Sequence, residues 1–562
     1  MGRVQVIAGV GVGRGAVVGP VVRAHPAPQV PVTEAPPEDR TASAEALASA
    51  FAEVAGALQA RADAATGTLR EVLGATVAIA QDPTLSGGAL AKVAAGTAPA
   101  TAVWEVAEQF IEMFEAAGGL LAERTTDLVS VRDRVVARVL GMPEPGVPPL
   151  TRPSIVVAAD LSPADTATLD LSQVLGIVVE RGGPTSHMAI IAGQLGLPCV
   201  VRAVDAAVLA DGDLVAVDAA RGVVVVDPDD AVRDLVAART AAFAELARST
   251  GPGATADGHP VALLANIGTA DDAERLDAGS VEGVGLFRTE VLFLGRRTAP
   301  DVETQAAEYL RAMVALGDRK VVLRTLDAGA DKPLAFVTLP GEENPALGVR
   351  GYRLARSAPE LLADQLAAIA AAAAASGTEP WVMAPMISTT DEAAAFAAAA
   401  RTAGITRVGV MVEVPAVALR ARDVLAEVDF CSIGTNDLAQ YTMATDRLRG
   451  ELVDLLDMWQ PAVLDLVAAT ADAGAALRKP VGVCGESASD PAMALVLAGL
   501  GVTSLSMAPT AVPAVRHALR AHSLGTCRQI ASAARAARTA SDARRAALTL
   551  VDPGVRDVLA LD

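Results

Sequence analysis

A histidine follows a pair of glycines in Gly182-Gly183-Pro184-Thr185-Ser186-His187, and the chain runs on as Met188-Ala189-Ile190-Ile191-Ala192-Gly193-Gln194-Leu195. The apolar run 174–179 ahead of it reads as a buried strand. The stretch after His187 reads as a helix that stops at Gly196, with Pro198 beyond. His187 is therefore expected where a glycine-containing turn opens a helix. The glycines let backbone approach a bulky group. The helix start offers free N–H groups and the positive end of the dipole, both suited to phosphate. The same dipole favours the neutral, nucleophilic imidazole. Such a stretch could take up a phosphoryl group on histidine. A solitary histidine in a turn is usually no more than a solvated side chain, and the strand and helix around this one set it apart.

A second set of reactive side chains recurs at the ends of apolar runs: Arg288, Arg324 with Asp327, Glu413, Asn436 with Asp437, and Cys484 with Glu486. Arginine forks pair bidentately with carboxylate and phosphate oxygens. Two acidic side chains, together with substrate oxygens, supply the hard ligands that Mg²⁺ prefers. Arg447, on the loop after the sixth run, can join them. Taken singly, each would be an ordinary ion pair or structural hydrogen bond. Converging, they suit a small, highly anionic substrate.

Elements able to bring them together are legible from residue 256 onward. Strand-like runs at 261–266, 283–288, 321–327, 381–387, 408–414, 430–434, 481–485 and 504–508 alternate with helical stretches, the order of a parallel sheet. Eight such units in about 300 residues predict a (β/α)8 barrel, whose C-terminal strand ends share one rim. The Ala-rich run 367–375 is a helix between strands.

Upstream, residues 1–24 read as short glycine-punctuated strands without the helix that a dinucleotide fingerprint requires. Residues 26–40 read as a Pro-rich linker. Helices are expected at 43–62, 65–80, 87–96, 99–117 and 127–140, with breaks at Asp82-Pro83 and Gly96. Strands return over 153–228, and the opening strands complete that α/β domain around the helical insert. Residues 229–249 form an amphipathic helix, with Val232, Leu235, Val236, Phe243 and Leu246 on one face, and Gly251-Pro252-Gly253 breaks it.

The 562 residues leave room for several cores. A net charge of −20 argues against nucleic acid. No uninterrupted apolar run of about 18 residues points to a membrane span, and no signal-peptide pattern opens the chain. The four cysteines, Cys199, Cys431, Cys484 and Cys527, are too dispersed for a zinc pattern. A reduced, cytoplasmic protein is expected.

The Gly-Gly-x-Thr-Ser-His string resembles the phosphohistidine motif of the phosphoenolpyruvate-using enzymes: enzyme I of the sugar phosphotransferase system, pyruvate phosphate dikinase and phosphoenolpyruvate synthase. The resemblance to the enzyme I family covers nearly the whole chain. It is most specific in Gly283-Val284-Gly285-Leu286-Phe287-Arg288-Thr289-Glu290, Ile433-Gly434-Thr435-Asn436-Asp437-Leu438 and Val483-Cys484-Gly485-Glu486. It implies an α/β multidomain protein in four parts. A swivelling phosphohistidine α/β domain would comprise 1–25 and 145–228. An inserted all-α subdomain over 33–143 would dock the phosphocarrier protein HPr. A linker helix over 229–253 would lead to a TIM barrel over 256–555 that binds phosphoenolpyruvate and dimerises.

By matching motifs, Arg288, Arg324, Asn436, Asp437 and Arg447 would hold phosphoenolpyruvate, and Glu413 and Asp437 would hold Mg²⁺. His187 would accept the phosphoryl group on Nε2, and Cys484 would protonate enolpyruvate. The family's equivalent of Thr166 contacts the histidine, although a helix-start residue is an equal reading. Lys332 and Arg350 lie in family-like stretches without a firm role. Pro184 departs from the pattern and would stiffen the turn, and the helical insert is poor in charge for docking HPr. The implied reaction carries phosphoryl from phosphoenolpyruvate to His187 and on to HPr, releasing pyruvate, as the first step of sugar uptake. Alternatives are an ATP-using dikinase or synthase, for which the first 150 residues show no P-loop, and a non-catalytic regulatory relative, for which Cys484 would be superfluous. Pyruvate kinase-like transfer to nucleotide would not need His187.

Overall fold

A computed structural model describes the chain apart from residues 1–4, 14, 31–33, 65–66, 118–123, 162–168, 183–188, 190–191, 193–195, 278, 295, 329–333, 335, 338–341, 343, 448 and 562. It divides into two compact units, Met1–Ala241 and Ala242–Asp562.

The first unit combines a sheet with a helical bundle. Its strands are β1 (Gln5–Ala8), β2 (Val10–Val12), β3 (Ala16–Arg23), β4 (Ser154–Ala158), β5 (Val174–Val179), β6 (Cys199–Val201), β7 (Leu214–Asp218) and β8 (Val223–Val226). They form one sheet in the order β1-β8-β7-β3-β4-β5-β6-β2, with β3, β4, β5 and β6 mutually parallel. The Val- and Ile-rich β4 and β5 lie in the middle and are almost wholly buried, as parallel strands covered on both faces must be.

Between β3 and β4 the chain leaves the sheet for helices Arg40–Ala64, Gly67–Ala80, Pro83–Ala95, Pro99–Ala117 and Thr125–Val139. Leu47, Phe51 and Leu58 recur at helical spacing and face inward with Leu85, Val93, Val103 and Val135. The third helix begins four residues earlier than its apolar pattern indicates. Asp82 caps it by accepting the Thr84 N–H at 2.7 Å, and Pro83 takes the first helical position, where no N–H is needed.

Helix Asp230–Ala247 has different partners along its length. Val236 packs with Ala16 and Ala216, and the buried Arg239 pairs with Asp218. Further on, Phe243 and Leu246 pack against the core of the second unit.

That second unit is a closed parallel barrel of β9 (Ala262–Ile267), β10 (Gly283–Arg288), β11 (Lys320–Arg324), β12 (Trp381–Ala384), β13 (Arg407–Val412), β14 (Phe430–Ile433), β15 (Val481–Val483) and β16 (Ser504–Met507). All eight expected strands occur, most of them shorter at the C-terminal end because the chain turns there to present side chains. Inside the barrel Leu286, Val322, Met383, Met411, Phe430 and Cys484 form one cluster. Outside, the alternate residues pack on helices such as Pro359–Ser376, which contains the Ala-rich run and ends at Gly377 with φ 71°. Among the described residues no helix is long and apolar enough to cross a membrane.

Candidate active site

Five of the barrel strands, β10, β11, β13, β14 and β15, deliver a polar residue at or shortly beyond their last hydrogen-bonded position. Arg288 ends β10 and is exposed, with no ion-pair partner among the described residues. Arg324 ends β11 and is buried, pairing with Glu290 at 2.7 Å and Asp327 at 3.2 Å. Burial opposes its charge, but Glu290, Asp327 and Glu413 outweigh that cost and raise its pKa.

Beneath this pair lies a polar network that the sequence reading did not anticipate. Thr289 Oγ1 donates to the Arg324 carbonyl at 2.7 Å. Gln365 donates to Thr289 Oγ1 and to Tyr309 Oη, both at 3.0 Å, and accepts the Leu326 N–H at 2.7 Å. The network ties the ends of β10 and β11 to the helix behind them.

Glu413 follows β13 and is fully buried. Its Oε1 accepts the Met386 N–H at 2.6 Å, and Met386 sits in the left-handed region at φ 58° to aim that donor. Its Oε2 is buried without a hydrogen-bond partner among the described residues. Gly434 makes the space, since a Cβ there would lie 2.8 Å from Oε2. Burial, then the nearby Asp437 and Asp327 carboxylates, push the Glu413 carboxyl up to about 8.

Helix Thr435–Thr442, after β14, carries Asn436 and Asp437 in its first turn. Asn436 Oδ1 accepts the Glu486 N–H at 3.0 Å, linking this turn to the loop after β15. Asp437 lies 3.9 Å from Arg447 and 3.1 Å from Arg350. Arg350, left without a firm role above, is central to the cluster. It also pairs with Asp327 at 2.8 Å and donates to Tyr441 Oη at 3.2 Å. Opposed by burial, its charge is held by Asp327 and Asp437, which raise its pKa.

Cys484 comes immediately after β15, 3 % exposed, with its Sγ 3.7 Å from the Ile433 carbonyl. Burial pushes its thiol up to about 11 against the opposing Ser432 hydroxyl. It is therefore a protonated thiol at neutral pH.

The barrel thus brings Arg324, Glu413, Asn436, Asp437, Arg447 and Cys484 to one end, with Arg350 among them and Arg288 on the exposed side. Two acidic groups, one with a bare buried oxygen, suit a hard cation that takes its remaining ligands from substrate and water. Among the described residues no three His, Cys, Asp or Glu side chains cluster into a complete metal-binding set.

His187, Thr166, Pro184 and Lys332 lie outside the described residues. The flanks of His187 are described. Strand β5 leads toward it, and Gly182 turns at φ 83°. Gly196 sits at φ 69°, and the Leu197 N–H closes back on the Ala192 carbonyl at 2.9 Å.

A closed parallel barrel with arginines, carboxylates and a thiol at the C-terminal ends of its strands defines an enzyme of small anionic substrates. Comparison with known proteins narrows the class. Residues 244–524 match the PEP-binding domain of the PEP-utilising enzymes, 150–222 their mobile domain and 8–124 their N-terminal domain. A phosphoenolpyruvate-protein phosphotransferase of Streptomyces coelicolor is 47 % identical over 548 residues, spanning 96 % of this chain and 98 % of that protein. Proteins of the same name from Haloferax volcanii and a Bacillus species are 40 % and 38 % identical, spanning 82 % and 74 % of this chain and 83 % and 75 % of their own lengths. The chain belongs to the PEP-utilising enzymes and, among them, to the phosphoenolpyruvate–protein phosphotransferases of the enzyme I family.

Proposed function

We propose that this phosphoenolpyruvate-dependent phosphotransferase moves the phosphoryl group first to Nε2 of its own His187 and then to a histidine phosphocarrier protein, HPr, releasing pyruvate and so opening a sugar phosphotransferase sequence. The observation that carries this reading is the convergence of Arg324, Asp437, Glu413 and Cys484 at one end of the barrel. Arg288, Arg324 and Arg447 bind the carboxylate and phosphate of phosphoenolpyruvate, and Asn436 donates its amide hydrogens to substrate oxygens while its Oδ1 stays on the Glu486 N–H.

Glu413 and Asp437 hold Mg²⁺. When bound, the ion offsets the charge of the transferring group. His187 attacks phosphorus opposite the leaving enolate oxygen. The enolate then takes a proton from the Cys484 thiol, and the resulting ketone no longer has the oxygen nucleophile needed for return. A buried group held in its thiol form suits this step better than a thiolate would.

The phosphohistidine domain, residues 1–25 and 145–228, carries the phosphoryl group between the barrel and HPr. Residues 33–143 dock HPr, 229–253 serve as the linker, and 256–555 dimerise. The compartment is the cytoplasm. Incubation with labelled phosphoenolpyruvate and Mg²⁺, without ATP, tests the reading. Acid-labile label on the protein that chases onto HPr supports it, and an ATP requirement would favour a dikinase or synthase.

A further inference from the structure

The Cys484 thiol, once it has given up its proton, must recover one. Even without substrate it is 3 % exposed and shares an apolar cluster with Leu286, Met383, Met411 and Phe430. Water from the substrate side therefore has poor access to it. On the opposite side polar groups stand among apolar ones, with Val322 and Phe430 of that cluster included. A narrow cavity inside the barrel, with room for about one water, is lined by Lys320, Ser432, Gly482, Ser504 and Ser506. Ser432 stands opposite Gly482 in the β14–β15 register, and Gly482 lies two residues before Cys484, so the Ser432 hydroxyl and the Cys484 thiol share the inner face of the barrel, where the hydroxyl acts to lower the thiol's pKa. Ser506 donates to Asn266 Oδ1 at 2.6 Å, and Asn266 Nδ2 donates to the Cys484 carbonyl at 3.3 Å, which fixes the backbone that bears the thiol. Lys320 opens β11 at the other end of the barrel. It is half-buried, with its Nζ 3.6 Å from the centre of the Trp381 ring.

We infer that Lys320, the cavity water and Ser432 form a proton-return path from the floor of the barrel to Cys484, an inference that rests on Cys484 being the donor to enolpyruvate. An N–H proton of the Lys320 ammonium passes to the water, a water proton passes to Ser432 Oγ, and the Ser432 hydroxyl proton passes to the Cys484 thiolate. Neutral Lys320 then regains a proton from solvent on its exposed side. Charge and protons balance without another reactant. Burial lowers Lys320 to about 8 and raises Cys484 to about 11, so the transfer runs downhill. Gly482 keeps the passage open. A Cβ there would stand 2.7 Å from Ser504 Oγ and 3.7 Å from Ser432 Oγ.

The test is exchange of carbon label between phosphoenolpyruvate and pyruvate in D₂O, with the full-length protein and Mg²⁺. Carbon exchange needs only a proton that shuttles between Cys484 and carbon. Deuterium entry into the pyruvate methyl group needs the thiol to exchange with solvent. In Lys320→Met the carbon exchange should stay within a few-fold of the parent, while deuterium entry per carbon exchange falls on the order of 10-fold, at the low end of what a lost proton-transfer group costs. Gly482→Ala, which blocks the cavity instead of removing its charge, should do the same and carries the test if Lys320→Met does not fold. Parental deuterium entry in both variants would overturn the path, and so would an equal fall in both rates, which marks a structural role. The Cys484→Ala control separates the two claims. If it loses carbon exchange while Lys320→Met keeps parental deuterium entry, the donor stands and the path falls. If it exchanges both labels at the parental rate, the donor assignment itself is wrong and the path falls with it.

Discussion

Arg350 bridges Asp327 at 2.8 Å and Asp437 at 3.1 Å, so one buried guanidinium fastens the loop after β11 to the first turn of the helix after β14. Its position makes Asp437, one of the two carboxylates at the proposed metal site, depend on a residue outside the substrate-binding set proposed above.

Removing that guanidinium takes one cationic partner from each of two buried carboxylates, leaving Asp327 to Arg324 and Asp437 to the more distant Arg447. Arg350→Met should lower stability by about 3–5 kcal/mol, the usual cost of breaking a buried ion pair from one side. Arg350→Lys should recover less than half of this, because an ammonium cannot reproduce the fork. Urea unfolding measures both. A methionine variant within about 0.5 kcal/mol of the parent, the range of an ordinary surface change, would show the bridge to be inconsequential.

Where the barrel is cut should matter. Phe243 and Leu246 pack on its core, and the almost fully buried Arg516 donates to the Ser249 carbonyl at 2.6 Å and also to the Ser280 carbonyl. A fragment of residues 242–562 should fold and bind phosphoenolpyruvate with Mg²⁺. One beginning at 256 loses the apolar pair and leaves an Arg516 donor unmet, so it should melt several degrees lower. Calorimetry on both decides it, and equal melting temperatures would show that these contacts add nothing.

The eight strands were legible because buried parallel strands are short apolar runs ended by polar or glycine residues, as in Arg407–Val412 followed by Glu413 and Phe430–Ile433 followed by Gly434. Cys484 and Asn436-Asp437 were legible because they sit at the ends of such runs. Arg350 was not. It lies in a glycine-containing loop with no periodicity, and its value comes from two carboxylates that are distant in sequence. Gln365 was hidden differently. It stands on an Ala-rich helix as an apparently ordinary polar residue, and only the fold turns it inward to meet Thr289, Tyr309 and the Leu326 N–H. Met386 gave no signal, since a left-handed methionine is set by its surroundings.

Glu413 gives the protein a pH signature. Its carboxyl is raised from 4.5 to about 8, so between these values the native state holds a proton that the unfolded chain has released. Stability without Mg²⁺ should therefore fall as pH rises through that window. Mg²⁺, which binds the ionised form, should flatten the slope, and Glu413→Gln should remove Glu413's contribution to it. Denaturation midpoints across the window check this. A variant slope equal to the parent's would assign the effect to other groups.

Cys484→Ala separates binding from proton transfer. Phosphoenolpyruvate affinity should stay within a few-fold, and pyruvate formation with HPr present should fall by about 10²–10⁴, the range for losing a general acid. Cys484→Ser should restore packing but little activity, because a hydroxyl is a far weaker acid. Near-parental pyruvate formation by the alanine variant would make the thiol structural.

The central claim is that His187 receives the phosphoryl group while a separate barrel site binds its donor. Labelled phosphoenolpyruvate and Mg²⁺, added without ATP to the parent and to His187→Ala, test it most directly, with binding followed in parallel by calorimetry. The parent should acquire acid-labile label at His187, and the variant should bind phosphoenolpyruvate within a few-fold of the parent yet acquire none. Label on the variant, or label on the parent at any other residue, would contradict the account.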